Sequence, residues 1–254
     1  MSEGRVTLTV EGALAWITLD RPAKHNAMTP AMAGELAQAA TAINADRAVH
    51  VAILRGGGDR AFCAGSDLDA LAEYDGVWDF RNRVEYATEV RRIRKPVVAA
   101  IKGWALGGGL EMALSCDLRV AGAGARLGAP EVQRGWVGAG GGSQLLPRLV
   151  GYGRAAWMLL SGTPIDAQQA EAWGVVERVV PDEALWDEVR AVAEGLAQHS
   201  EVALVTVKAA LRASLSTSLE QGLAYENEVM ALAFALGNDA AGRAAFATRK
   251  GGRP

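Results

Sequence analysis

Short apolar runs that stop at glycine recur through the first 180 residues, with helically spaced stretches between them, and this alternation narrows the possible folds more than any other feature. Val49 to Leu54 is β-branched and ends at Gly56-Gly57-Gly58, as a buried strand running into a loop would. Before it, Thr29-Pro30 reads as an N-cap followed by proline at the first helical position, and Met32, Leu36, Ala39, Ala40 and Ile43 then recur on one face of a helix ending near Asp46. The opening runs, Val6 to Val10 and Ala13 to Leu19, alternate with period two around Glu11-Gly12 and predict a hairpin. Further on, a polar helical stretch is expected from about Trp78 to Ile93. A strand follows at Pro96 to Ile101, then a glycine-rich turn, a helical run through Leu114, and short strands at Asp117 to Ala121 and Arg126 to Leu127. Strands and helices in alternation predict an α/β fold with largely parallel strands.

From about Glu183 the strand signals stop. Leu185, Val189, Val192 and Leu196 share a helical face, Val202 to Leu211 makes a second helix, and Leu219, Leu223, Met230 and Phe234 mark a third. The chain is therefore divided into an α/β core over residues 1–190 and a helical region over residues 191–254, whose apolar faces pack either on the core or on a neighbouring subunit.

A length of 254 residues is enough to bury a sizeable core, and two cysteines, Cys63 and Cys116, can neither staple it nor supply a structural zinc site alone. The three histidines show no ligand spacing, so no metal is expected. The 26 Lys plus Arg stand against 29 Asp plus Glu, a net charge of −3, with no extended basic stripe, which argues against nucleic acid as a partner. Arg91, Arg92, Arg94 and Lys95 form the densest basic run and read as a solvated helix face. Every apolar stretch is interrupted before membrane-spanning length, and the N-terminus has no secretory pattern, so a cytoplasmic protein without a membrane partner is expected.

Three segments hold more glycine and acid than packing requires: Phe62-Cys63-Ala64-Gly65-Ser66-Asp67-Leu68, Gly103 to Glu111, and Gly128-Ala129-Pro130-Glu131 running on to Gly142. Each follows an expected strand, where glycine lets the backbone approach a ligand and aim N–H groups at a developing negative charge. Glu111 interrupts an apolar helix start and Glu131 follows a proline among small residues; a carboxylate at such places is costly unless it faces a polar cavity. The dinucleotide fingerprint at Gly151-Tyr152-Gly153-Arg154-Ala155-Ala156 lacks a clean preceding strand and is set aside. Ser143 lacks the closing glycine of a nucleophile elbow, and Cys63, beside Phe62, reads as a buried small hydrophobe.

Arg21-Pro22 with Asn26-Ala27-Met28, the Phe62 to Leu68 segment, Ala99 to Glu111, Cys116-Asp117, Pro130-Glu131 and Gly174-Val175-Val176 stand in an order and spacing that resembles the crotonase superfamily, the enoyl-CoA hydratase/isomerase family, over nearly the whole chain. The resemblance implies a crotonase-like spiral of repeated ββα units with a helical C-terminal trimerisation region, in homotrimers or hexamers. It implies acyl-CoA substrates, whose thioester enolate is held by the backbone N–H groups of Ser66 and Gly108. Glu111 and Glu131 then fall where hydratases carry two catalytic glutamates, and syn addition of water to a trans-2-enoyl-CoA is the implied activity. Coenzyme A belongs to the substrate and no further cofactor is called for. By motif position, Lys24, Ala64, Ser66, Asp67 and Leu68 are expected to contact CoA, Phe246 and Lys250 to reach a neighbour's CoA, and Trp104 or Trp136 to narrow the acyl pocket toward short or branched chains. Enoyl-CoA isomerisation, decarboxylation, dehalogenation, thioester hydrolysis and an RNA-binding role with a vestigial pocket are the alternatives.

Overall fold

A computed structural model describes residues 4–72 and 74–236. Six strands form the larger sheet in the order β1 (Arg5–Glu11), β2 (Leu14–Asp20), β3 (Val51–Gly56), β5 (Val97–Ile101), β7 (Leu118–Gly122) and β10 (Arg178–Val180). The β1–β2 hairpin is antiparallel and the other pairs are parallel. A smaller sheet runs β4 (Ala61–Cys63), β6 (Trp104–Leu106), β8 (Arg126–Gly128) and β9 (Ile165–Asp166), parallel except for the last pair. The helices are α1 (Pro30–Ala45), α2 (Leu68–Leu71), α3 (Val77–Arg81), α4 (Tyr86–Arg92), α5 (Gly108–Ser115), α6 (Gly142–Val150), α7 (Tyr152–Ser161), α8 (Ala167–Trp173), α9 (Leu185–Ala197), α10 (Glu201–Ala213) and α11 (Leu219–Ala235).

Three times in succession the chain passes from the larger sheet to the smaller and then into helix: β3 to β4 to α2, β5 to β6 to α5, and β7 to β8 to a 3₁₀ turn at Pro130–Arg134. Because β4, β6 and β8 are parallel neighbours, the segments leaving their C-terminal ends emerge side by side. Those are the three glycine- and acid-rich segments. Sequence periodicity did not show β6, which lies within the expected glycine turn: three residues are too few to display a period.

The core lies between the sheets and the helices that flank them. Met32, Leu36, Ala40 and Ile43 of α1 pack with Ile17, Leu54 and Ala99, while α9 covers the other face of the larger sheet with Leu185, Val189 and Ala193 against Trp16, Ile53 and Val98. Thr29 caps α1 through Met32 N, as expected. The single helix expected from Trp78 to Ile93 is instead two, since the Glu85 carboxylate accepts Ala87 N and Thr88 N and starts a fresh helix there. The basic run is not a solvated face throughout. Arg91 donates to Gly140 O and Ser115 Oγ, and Lys95 is buried and paired with Glu201 on α10. Among the described residues, no helix is long and apolar enough to cross a membrane.

Asn26 positions the first of the three segments. Wholly buried, and with His25 one of two non-glycine residues with positive φ among the described residues, it donates through Nδ2 to Gly57 O, Ala61 O and Phe62 O and accepts Arg21 N. Asparagine suits this place because a short amide tolerates the left-handed region and bonds the backbone locally. Met28, two residues on, then pairs with Ser66 in a parallel bridge.

Replacing Asn26 with alanine strands three carbonyls and should cost roughly 2–4 kcal/mol of stability, read as a lowered midpoint of chemical unfolding; an unchanged midpoint would mean the clamp carries no weight. Burial pushes both the Cys63 and Cys116 thiols up to about 12, so neither should react with a disulfide reagent near neutral pH until the chain unfolds, when both should.

Candidate active site

The loops leaving β4, β6 and β8 enclose a cavity of about 410 Å³. Its first wall is Ala64-Gly65-Ser66. Met28 N donates to Gly65 O at 2.8 Å and Asp67 N to Met28 O at 2.9 Å. Backbone groups alternate in direction along an extended segment, so the Ser66 N–H between them faces away from Met28, toward the cavity that Ser66 lines. The second wall is the start of α5. Gly107 has φ of 56° and accepts Glu111 N, which leaves the Gly108 N–H as the first of the helix, without an intrahelical acceptor. The two walls meet closely: a methyl on Gly109 would fall 2.0 Å from Cys63 O, and one on Gly108 would fall 1.9 Å from the Tyr86 hydroxyl. Two N–H groups at adjoining turns, neither with an acceptor among the described residues and one of them at the positive end of a helix, suit an anion or a polarised carbonyl oxygen.

Opposite lie the two acids. Glu111 is 5% exposed; its Oε1 accepts Gly142 N at 2.9 Å, and Gly140 N also donates to the carboxylate. Burial raises its pKa, those two backbone bonds oppose the rise, and the charge of Glu131 adds to it. Glu131, in the 3₁₀ turn, has its pKa raised by burial and opposed only by its own backbone N–H and by Arg134. Both carboxylates face one small space, for a methyl on Gly138 would fall 2.5 Å from Glu111 Oε1 and 3.4 Å from Glu131 Oε1. Arg91, holding Gly140 O at 2.6 Å, steadies the loop that supplies these glycines. The pair thus presents two carboxyl groups whose pKa values burial raises, beside the two N–H groups.

A second cavity of about 360 Å³ shares Ala64, Ser66, Leu68, Pro130 and Arg134 with the first and adds Lys24, Asp67 and Leu106. The two make one groove, with Lys24, Arg134, Asp67 and Asp69 at its outer end, where Lys24 pairs with Asp69 at 3.5 Å, and Leu71, Phe80, Trp136 and Val137 at its inner end. Lys24, Ala64, Ser66, Asp67, Leu68, Gly108, Glu111, Glu131 and Trp136 are all brought to this groove. Phe246 and Lys250 lie outside the described residues. The Asp67 side chain is engaged elsewhere: it pairs with Arg21 and caps α2 through Asp69 N and Ala70 N, and the Arg21 bond holds its carboxyl below the usual range. Trp104 lines neither cavity and stands 41% exposed on β6, so of the two tryptophans it is Trp136 that lines the inner end, where it meets Phe80 edge-on at 6.2 Å. Sequence reasoning missed Tyr86, Arg91 and Phe80, which enter the site from α3 and α4, far from the glycine motifs. The only signal was Glu85, an acid at a helix start.

Gly151-Tyr152-Gly153 connects α6 to α7 with no strand before it, which excludes the dinucleotide reading. Among the described residues no cluster of acidic, histidine or cysteine side chains is arranged to hold a metal ion.

The sequence model of the enoyl-CoA hydratase/isomerase family matches residues 9–251. A probable enoyl-CoA hydratase of Rhizobium meliloti is 37% identical, covering 98% of this chain and 97% of that protein. A crotonyl-CoA hydratase of Syntrophomonas wolfei is 35% identical over the same shares, and a 2,3-dehydroadipyl-CoA hydratase of Escherichia coli is 37% identical over 92% of each chain. Among solved structures, an enoyl-CoA hydratase subunit I of Geobacillus kaustophilus superposes with a TM-score of 0.90 at 36% identity, covering 96% of this chain and 95% of that one. An enoyl-CoA hydratase of Bacillus anthracis gives 0.89 at 32% identity over 96% of each. The chain belongs to the enoyl-CoA hydratase/isomerase family and has its crotonase fold.

Proposed function

We propose that this protein hydrates trans-2-enoyl-CoA thioesters and, in reverse, dehydrates 3-hydroxyacyl-CoA. The observation that carries the reading is the pair of carboxylates, Glu111 buried and Glu131 half-buried, facing one small space beside two N–H groups that have no acceptor among the described residues. The thioester oxygen accepts Ser66 N–H and Gly108 N–H, which makes C3 electrophilic and holds the enolate that forms. Glu111, supported as an anion by Gly140 and Gly142, takes a proton from a water lodged between the acids while that water's oxygen bonds to C3. Glu131, whose carboxyl pKa burial also raises, gives its proton to C2. The enolate collapses to the thioester, and the proton on Glu111 passes back to Glu131, so that one water is consumed and the pair is restored. An isomerase needs only one base moving a proton along the acyl chain; two acids facing one space favour hydration. No step draws on a metal or redox group, and CoA enters as part of the substrate.

The Phe80–Trp136 pair at the inner end favours short or branched acyl groups, and a series of enoyl-CoAs in which the longest is turned over best would overturn this. Exposed Val207, Leu211, Leu223 and Met230 line an apolar groove between α10 and α11 of about 620 Å³. Such a face suits association through the helical tail, in a homotrimer or hexamer of paired trimers. Sedimentation should then show three or six chains, and a stable monomer would contradict it. The free buried thiols accord with a reducing, cytoplasmic setting.

The direct test is the loss of enoyl-thioester absorbance on mixing with crotonyl-CoA. Glu111→Gln and Glu131→Gln should each lower kcat by roughly 10²- to 10⁴-fold. Because burial raises both carboxyl pKa values, the acid form survives to higher pH than usual. The rate should therefore fall on the alkaline side once that acid ionises, above the ordinary carboxyl range, and on the acidic side once the base is protonated. A rate that climbs with pH and shows no alkaline limb would contradict the acid role of Glu131.

A further inference from the structure

Tyr86 stands at the centre of the site, and the two-glutamate chemistry leaves it idle. It opens α4, lines the acyl cavity and is buried, and its hydroxyl lies 2.8 Å from Ser66 Oγ. The same hydroxyl rests against the α-carbon of Gly108, where no side chain would fit. A phenol and a serine hydroxyl therefore bridge the two residues whose N–H groups receive the thioester oxygen.

The protons can be counted. Two hydroxyls bring two O–H protons, and the bond between them uses one. Among the described residues neither oxygen has another hydrogen-bond partner, so one O–H proton faces the cavity that both residues line. A hydroxyl left without an acceptor in a buried place is costly, and the cost is relieved when an acceptor arrives. Burial, with the charges of Cys63 and Glu111 adding to it, raises the Tyr86 pKa, so the phenol keeps its proton across the working range.

We infer that Ser66 and Tyr86 supply a third hydrogen bond to the thioester oxygen as it becomes an enolate: Ser66 Oγ donates to Tyr86 Oη, and the phenolic O–H donates to the oxygen. This order places the more acidic hydroxyl on the stronger acceptor, and the serine bond behind it strengthens the phenol as a donor. Tyr86 is then a catalytic residue and Ser66 a positioning one through its side chain, in addition to its backbone N–H. The inference rests on the acyl-CoA enolate reading above.

The test pairs turnover with a ligand that needs none. Tyr86→Phe should lower kcat for crotonyl-CoA by about 10- to 100-fold with KM within about twofold. Ser66→Ala should give a smaller fall, and the double variant one no larger than Tyr86→Phe alone. In parallel, acetoacetyl-CoA, a 3-ketoacyl thioester, is bound and the fraction present as its enolate is read by ultraviolet absorbance. Tyr86→Phe should retain binding but reduce that fraction. If wild type binds this ligand as enolate yet does not hydrate crotonyl-CoA, the hydratase reading fails while the absorbance still reports on the hydroxyls. An enolate fraction equal to wild type in Tyr86→Phe overturns the inference, as does a rise in KM with kcat unchanged. Should that variant fail to fold, the enolate fraction of Ser66→Ala decides in its place.

Discussion

The site depends on the close approach of two chain segments, which only an absence of side chains allows. Gly108 and Gly109 at the start of α5 lie against the Tyr86 hydroxyl and the Cys63 carbonyl at distances no Cβ could share. A methyl group on Gly109 would push α5 away from β4, and one on Gly108 would displace the Tyr86 ring. A displacement of about an ångström is enough to cost much of the benefit of oriented donors. Asn26 serves the same end from behind, binding one carbonyl of the loop that leads into β4 and two of β4 itself.

Buried carboxylates are the opposite kind of constraint, since they raise the free energy of the folded chain to make chemistry possible. Glu111 sits inside a helix whose other residues are apolar, and its charge is tolerable because two backbone N–H groups of the 140–142 loop bind it. Arg91 fixes that loop from outside. Glu131 is only half-buried, and Arg134 and its own backbone N–H ease its charge.

The helical tail joins the core through charge more than through apolar packing. Lys208 of α10 reaches Lys95 O at 2.7 Å and Asp117 at 2.5 Å, and Asp117 in turn accepts Val97 N at the start of β5. Lys95 meets Glu201 at 3.3 Å. Burial lowers the Lys208 pKa to about 8, so its charge there is held against desolvation by Asp117. With α10 tied down by ions, the apolar side chains of α10 and α11 are left facing outward, which agrees with their long apolar stripes in the sequence.

Much of this was legible before any coordinates. The Thr29 cap, the β1–β2 hairpin, the parallel β3, β5 and β7, and the three glycine- and acid-rich segments each rest on local chemistry: a capping hydroxyl, period-two alternation, β-branched runs stopped by glycine. Such features are written in neighbouring residues, so the sequence determined them by itself. Tertiary structure decided what lies between distant residues. It placed β4, β6 and β8 side by side so that Ser66, Gly108 and Glu131 meet, turned Arg91 and Lys95 from an apparent solvated run into a half-buried and a buried tie, removed Trp104 from the pocket, and set Tyr86 over Gly108. None of these could be read from spacing, because each depends on which strand pairs with which, and on a pairwise contact that appears only once the chain has closed on itself.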